Sequence, residues 1–125
     1  METVIENNAI IPLSTAACSG HLVAVGDALY VIGGKWKLRI IVALNEGSRR
    51  FNELQRSIPG ISAKMLSNEL KDLELNGFVK RTVNTGTPVV VEYEPTDYSQ
   101  TLRDVLRSLA EWGKMHKEKL RQEGQ

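Results

Sequence analysis

One stretch, Gly33 to Arg81, narrows what this chain can fold into more than any other. It reads GGKWKLRIIVALNEGSRRFNELQRSIPGISAKMLSNELKDLELNGFVKR. Three short helical patterns follow one another, each closed by a turn signal, and a β-prone segment comes next. Elements this short cannot bury an apolar face alone, so they must share one core.

The details of that stretch set the order of elements. Trp36 to Leu44 carries Trp36, Ile40, Ile41, Val42 and Leu44 among Lys35, Lys37 and Arg39. That spacing predicts a helix buried on most of its circumference, closed by Glu46-Gly47. Ser48 to Phe51 reads as a short extended piece. Asn52 and Gln55 have the spacing of a capping box, which predicts a brief helix from Glu53 to about Ser57. Pro59-Gly60 is a turn. Ser62 is a suitable N-cap for a helix running to Asn76. Leu66, Leu70 and Leu73 form its core stripe, and Lys64, Ser67, Asn68 and Lys71 its other face.

Downstream, Phe78 to Val83 and Val89 to Tyr93 are β-prone around the turn-prone Asn84-Thr85-Gly86-Thr87-Pro88. A hairpin is expected there, with Pro95 stopping its second strand. Thr96 to Gln122 reads as a long last helix with an apolar stripe of Leu102, Val105, Leu106, Leu109 and Trp112. Its basic end, Lys114, Lys117, Lys119 and Arg121, suits a helix C-terminus. Upstream, Leu22 to Ile32 predicts a short helix ended by Gly33-Gly34, and Met1 to Gly20 lacks periodicity. The expected organisation is therefore an N-terminal arm over 1–20 and one domain over 21–125. The fold class is mainly α with a small antiparallel β-hairpin, a winged helix-turn-helix with a long C-terminal dimerisation helix.

Composition closes off other classes. The 125 residues suit one domain. The single cysteine, Cys18, excludes an intrachain disulfide framework. The formal net charge is +1, yet no Lys or Arg precedes Lys35. Bulk charge therefore does not drive binding to nucleic acid, and only a local face does. No apolar run is long enough for a bilayer, and the acidic start, Met1-Glu2-Thr3-Val4-Ile5-Glu6, does not suit a secretory signal. A cytoplasmic protein is expected. His21, His116 and Cys18 have no metal-ligand spacing, so no metal or cofactor is expected. Asp97, Asp104 and Glu111 read as a solvated helix face. No nucleophile, base and orienting group recur at useful spacing, so an enzyme is not expected.

An ordered set of motifs adds a family. These are Ile32-Gly33-Gly34-Lys35-Trp36, Arg49-Arg50-Phe51-Asn52-Glu53-Leu54, Ile58-Pro59-Gly60-Ile61-Ser62, Lys64-Met65-Leu66, Leu70-Lys71-Asp72-Leu73-Glu74, Val91-Glu92-Tyr93 and Ala110-Glu111-Trp112-Gly113. In this order, over about Ala28 to Gly113, the chain resembles the HxlR-type transcriptional regulators, a branch near the MarR-like winged-helix proteins. Two departures stand out. Cys18 lies further upstream than the cysteine usual before the Gly-Gly-Lys-Trp motif, with no proline after it. Glu94-Pro95-Thr96-Asp97-Tyr98-Ser99 replaces the usual Leu-Thr-Pro and glycine pattern.

The resemblance implies a bacterial-type regulator that acts on transcription by blocking or aiding polymerase. The residues expected at double-stranded DNA are Ser62, Lys64, Ser67, Asn68 and Lys71 on the helix, Arg49 and Arg50 before the third helix, and Lys80 or Arg81 on the wing. Asn68 suits an adenine edge. Lys64 and Lys71 suit phosphates, which set position rather than sequence. Leu102, Val105, Leu106, Leu109 and Trp112 are expected in a homodimer interface. A two-fold pair would place its reading helices one turn apart on a near-palindromic operator. Trp36 and Trp112 read as core residues at helical spacing. Two alternatives stay open: a thiol-responsive sensor of oxidants or electrophiles acting through Cys18, and a winged helix used for protein contacts. A small-molecule or oxidant effector fits the first, although no nearby cation activates Cys18 through local sequence.

Overall fold

A computed structural model of the chain describes residues 15–124, so residues 1–14 of the arm expected over 1–20 lie outside the described residues. The chain divides into two units, Met1–Gly34 and Lys35–Gln125. In the first, α1 spans Thr15–Ile32. It begins well before the expected start at Leu22, so residues 15–20 are helical. Gly33 ends α1: its N–H donates to the Leu29 carbonyl at 2.8 Å. A Cβ there would meet that oxygen at 2.3 Å, which only glycine avoids.

The second unit runs α2 (Lys37–Leu44), β1 (Arg49–Arg50), α3 (Phe51–Ser57), α4 (Ala63–Leu75), β2 (Val79–Asn84), β3 (Val90–Pro95), a 3-10 turn (Tyr98–Leu102) and α5 (Arg103–Glu123). Its core is built where three helical stripes meet. Ile40, Ile41 and Leu44 of α2, Leu54 of α3, and Leu66, Leu70 and Leu73 of α4 have almost no exposed surface. Burying a side chain of this size contributes about 1.5–3 kcal/mol. Val42 does not join them: it stands 52% exposed, so α2 is buried on one side only.

The sheet has the order β1-β3-β2 and is antiparallel throughout. The extended piece expected near Ser48 is its third strand. Arg49 lies opposite Tyr93 and Arg50 opposite Glu92. On the other side of β3, Arg81 lies opposite Tyr93 and Lys80 opposite Glu94. This pairing moves the start of α3. The expected capping residue was Asn52, but the N-cap is Arg50, whose backbone N–H donates to Glu53 Oε1 at 2.9 Å.

The last helix is broken at its start. Residues Tyr98–Leu102 form a 3-10 turn before α5. There Ser99 is buried, and its hydroxyl donates to the Thr96 carbonyl at 2.7 Å. The tighter turn sends Leu102 into the core, where it is 9% exposed. Leu102 therefore drops out of the expected interface stripe, and the exposed apolar residues of α5 start at Val105.

Candidate nucleic-acid interface

The α3–α4 turn is fixed from three sides. Ile58 and Ile61 are buried on either side of Pro59-Gly60. Gly60 has φ +88, a conformation that L side chains rarely adopt, and a Cβ placed there would sit 3.7 Å from the Trp36 ring. Gln55 Nε2 donates to the Ile61 carbonyl at 3.4 Å. Trp36 is itself buried, as its helical spacing suggested, and carries two cations. Lys35 lies 4.8 Å and Arg39 5.6 Å from its ring centre, within cation–π range.

From this turn α4 starts on a defined cap. Ser62 Oγ accepts the Met65 N–H at 3.1 Å. The Ser62 oxygen is thus engaged in capping the start of the helix, and what it offers a ligand is its exposed edge. Beyond the cap, the burial of Leu66, Leu70 and Leu73 turns Lys64, Asn68, Lys71 and Leu75 outward, and all four are exposed. Ser67 is half-buried at the border of that face. Among the described residues, neither Lys64 nor Lys71 has an ion-pair partner within 4 Å. Both charges are therefore available to an anion. An outward face of two unpaired ammonium groups flanking an amide suits phosphates beside a base edge.

Sequence reasoning missed Lys37. Its Nζ reaches across from α2 to Glu69 Oε1 at 2.6 Å and Asp72 Oδ2 at 3.5 Å on the side of α4. The hydrogen bond to Glu69 raises the ammonium pKa above the ordinary lysine value; desolvation opposes it and the charges of Glu69 and Asp72 reinforce it. The available signal was the one-turn spacing of Glu69 and Asp72 on a helix otherwise suited to an anion.

The other expected residues divide. Arg50 is exposed, whereas Arg49 is half-buried and its Nη2 meets Glu46 Oε1 at 3.2 Å. Lys80 and Arg81 are both exposed on β2. Lys80 lies 3.9 Å from Glu94 across the sheet, and Glu94 also accepts from Ser48 Oγ at 3.0 Å. Adjacent strand residues point to opposite faces, so one of Lys80 and Arg81 at most shares the face of α4. The wing tip over 85–88 carries no cation.

The outer side of α5 is a different surface. Val105, Leu109, Trp112, Met115 and Leu120 are all exposed. Trp112 is 58% exposed and so is not a core residue of its own chain; it stacks on His116 with ring centres 4.9 Å apart. Leu106 is half-buried and, with Leu38, Val42, Ile58, Pro59 and Leu109, lines an apolar groove of about 650 Å³ between α2, the α3–α4 turn and α5. Asp97, Asp104 and Glu111 are exposed. In the other unit, Cys18 is exposed on α1, as are Leu22, Val25, Leu29 and Tyr30. Among the described residues, no helix is long and apolar enough to cross a membrane.

Known proteins share this geometry. The family model described as HxlR-like helix-turn-helix matches residues 31–121. The HTH-type transcriptional regulator YtcD of Bacillus subtilis is 42% identical over 94 residues, 75% of each chain. An HTH-type transcriptional regulator of Methanothermobacter thermautotrophicus is 40% identical over 96 residues, covering 77% of this chain and 73% of its own. Among solved structures, the redox regulator HypR in its reduced form superposes with a TM-score of 0.73 at 37% identity, covering 79% of this chain and 98% of HypR.

Proposed function

The chain belongs to the HxlR-like helix-turn-helix family, and from that premise we propose that it is a sequence-specific DNA-binding transcriptional regulator that works as a homodimer. The observation that carries this reading is the outward face of α4. Lys64, Asn68 and Lys71 stand exposed on a helix whose opposite stripe is wholly buried. A helix presented this way enters a major groove. Lys64 and Lys71 meet phosphates, and Asn68 bonds a base edge, most naturally adenine. Arg50 and one of Lys80 and Arg81 add phosphate contacts from the sheet.

A single reading helix spans only a few base pairs, so a second copy supplies the rest of the site. The apolar side of α5 supports that copy, because Val105, Leu109 and Trp112 lie open to solvent on one chain. Two-fold pairing through α5, with help from α1, sets the two α4 helices about one turn of DNA apart, roughly 34–36 Å. The operator is then near-palindromic.

Selecting duplexes from a random pool with the full chain tests this reading. The expected product is a near-palindrome. Asn68→Ala should lose preference for it while keeping its affinity for unrelated DNA. A pool that yields no enriched duplex refutes the DNA-binding reading.

A second reading concerns regulation. HypR is described as a redox regulator in both oxidised and reduced forms, and Cys18 is exposed on α1. On this reading, oxidation or alkylation of Cys18 alters DNA affinity. Wild type and Cys18→Ser are compared after mild peroxide or quinone treatment, and equal responses remove it.

A further inference from the structure

The helix proposed to enter the groove is acidic by its own composition. Over Ala63–Leu75 it holds two lysines, Lys64 and Lys71, and three carboxylates, Glu69, Asp72 and Glu74. Bare carboxylates there would repel the phosphates that Lys64 and Lys71 are meant to meet. The fold deals with two of the three. Lys37, from α2, places its Nζ 2.6 Å from Glu69 and 3.5 Å from Asp72. The side chains of Lys37 and Glu69 are only 15% and 25% exposed.

We infer that Lys37 is a positioning residue for DNA recognition: by bridging Glu69 and Asp72 it fixes α4 against α2 and withdraws two negative charges from the face that meets the duplex. The inference rests on the DNA-binding reading. An isolated surface ion pair contributes little. This one differs in three respects. It is partly buried, it joins two helices 32 residues apart in sequence, and one ammonium serves two carboxylates. A second consequence concerns base choice. A free carboxylate accepts from cytosine N4, and Glu69 adjoins Asn68 in the chain. With Lys37 engaged, Glu69 is withheld from that role and Asn68 is left as the base-reading group.

Two kinds of loss follow when Lys37 is replaced. Repulsion weakens binding to every duplex, and a released Glu69 changes which duplex is preferred. Neither involves a lost phosphate contact. Repulsion is itself screened by salt, so the slope that separates a positioning role from direct contact is that of the variant in which Lys37, Glu69 and Asp72 are all neutralised, which stays close to wild type. A lysine that touches phosphate lowers the slope of log affinity against log salt by about 0.9 per contact when removed, about 1.8 for a dimer.

The test uses the full chain and the duplex it enriches from a random pool, with affinity read by fluorescence anisotropy over a salt series. Lys37→Gln should bind that duplex and an unrelated one about fivefold more weakly, given two uncovered carboxylates within about one screening length of the phosphates. Lys37→Arg should bind like wild type. The triple variant Lys37→Gln, Glu69→Gln, Asp72→Asn should recover to within about twofold of wild type, since the charges to be masked are gone. Thermal midpoints accompany each measurement. Should Lys37→Gln fail to fold, Glu69→Gln with Asp72→Asn in the wild-type background substitutes, and is expected to tighten binding several-fold. Unchanged affinity in Lys37→Gln, or in that double variant, overturns the inference. So does a triple variant that stays weak with a flattened salt slope, because Lys37 would then be a phosphate ligand. Wild-type chain that binds no duplex overturns the DNA reading and this inference together, whereas the preceding outcomes overturn this inference alone.

Discussion

Replacing Lys71 by alanine puts a number on the proposed contact. Lys71 is exposed on α4 and, among the described residues, has no ion-pair partner within 4 Å. Its whole charge is therefore available to a phosphate. Each phosphate contact contributes about 0.9 to the slope of log affinity against log salt on duplex DNA. A homodimer makes the contact twice, so Lys71→Ala should flatten the slope by about 1.8. Raising monovalent salt roughly fourfold, from about 50 to about 200 mM, then costs wild type about twelvefold more affinity than the variant. The loss should be equal on the enriched duplex and on unrelated DNA, because phosphates carry no sequence. Stability should change by less than about 0.5 kcal/mol, since the residue is exposed. Anisotropy titrations at four or five salt concentrations, beside a thermal melt, measure both quantities. Parallel salt slopes for wild type and Lys71→Ala would refute the phosphate assignment, and a slope change near half the expected value would refute the two-fold arrangement.

Three further outcomes are expected. Leu109→Glu, at a position 50% exposed on one chain, should yield monomers by sedimentation with the fold retained by circular dichroism; a variant that stays dimeric places the interface elsewhere. Ser62→Ala removes the oxygen that accepts the Met65 N–H and should lower stability by about 1 kcal/mol, or the melting midpoint by about 3–6 °C, whereas Ser62→Asp should keep the midpoint yet bind DNA more weakly through charge repulsion. Lys37 has a folded-state pKa raised by Glu69, so its stabilisation is complete below the ordinary lysine value of about 10.4 and fades as pH climbs through the raised one. The midpoint gap between wild type and Lys37→Gln should therefore be flat from about pH 7 to about pH 9 and close above about pH 10.4, and a gap that vanishes within the flat window contradicts the bridge.

The sequence was most legible where the signals are local. Leu66, Leu70 and Leu73 repeat at helical spacing, and Ser62 and Pro59-Gly60 punctuate them, so α4 and its turn are found where the pattern puts them. Non-local pairing erased other signals. Asn52 has good capping chemistry, but β3 draws Arg49 and Arg50 into the sheet and leaves Arg50 at the cap position. Lys37 looks like one more surface cation until the fold brings Glu69 to it. Leu102 continues the spacing of the last helix, yet the 3-10 turn rotates it out of that stripe. Trp112 shows the limit of periodicity: spacing reveals an apolar side but not whether its own chain covers it.

The two-residue strand β1 has a mechanical effect out of proportion to its length. A two-stranded ribbon alone is marginal in water. Here β3 is bonded along both edges, to β2 and to the lead-in of α3. Arg50 is at once the last rung of that ladder and the N-cap of α3. A load on the loop at 85–88 thus passes through β3 into α3 and, by way of Pro59 and Gly60, into α4. On the proposed DNA-binding reading, wing and α4 then respond together, and a base step bent under the hairpin would be felt at Asn68.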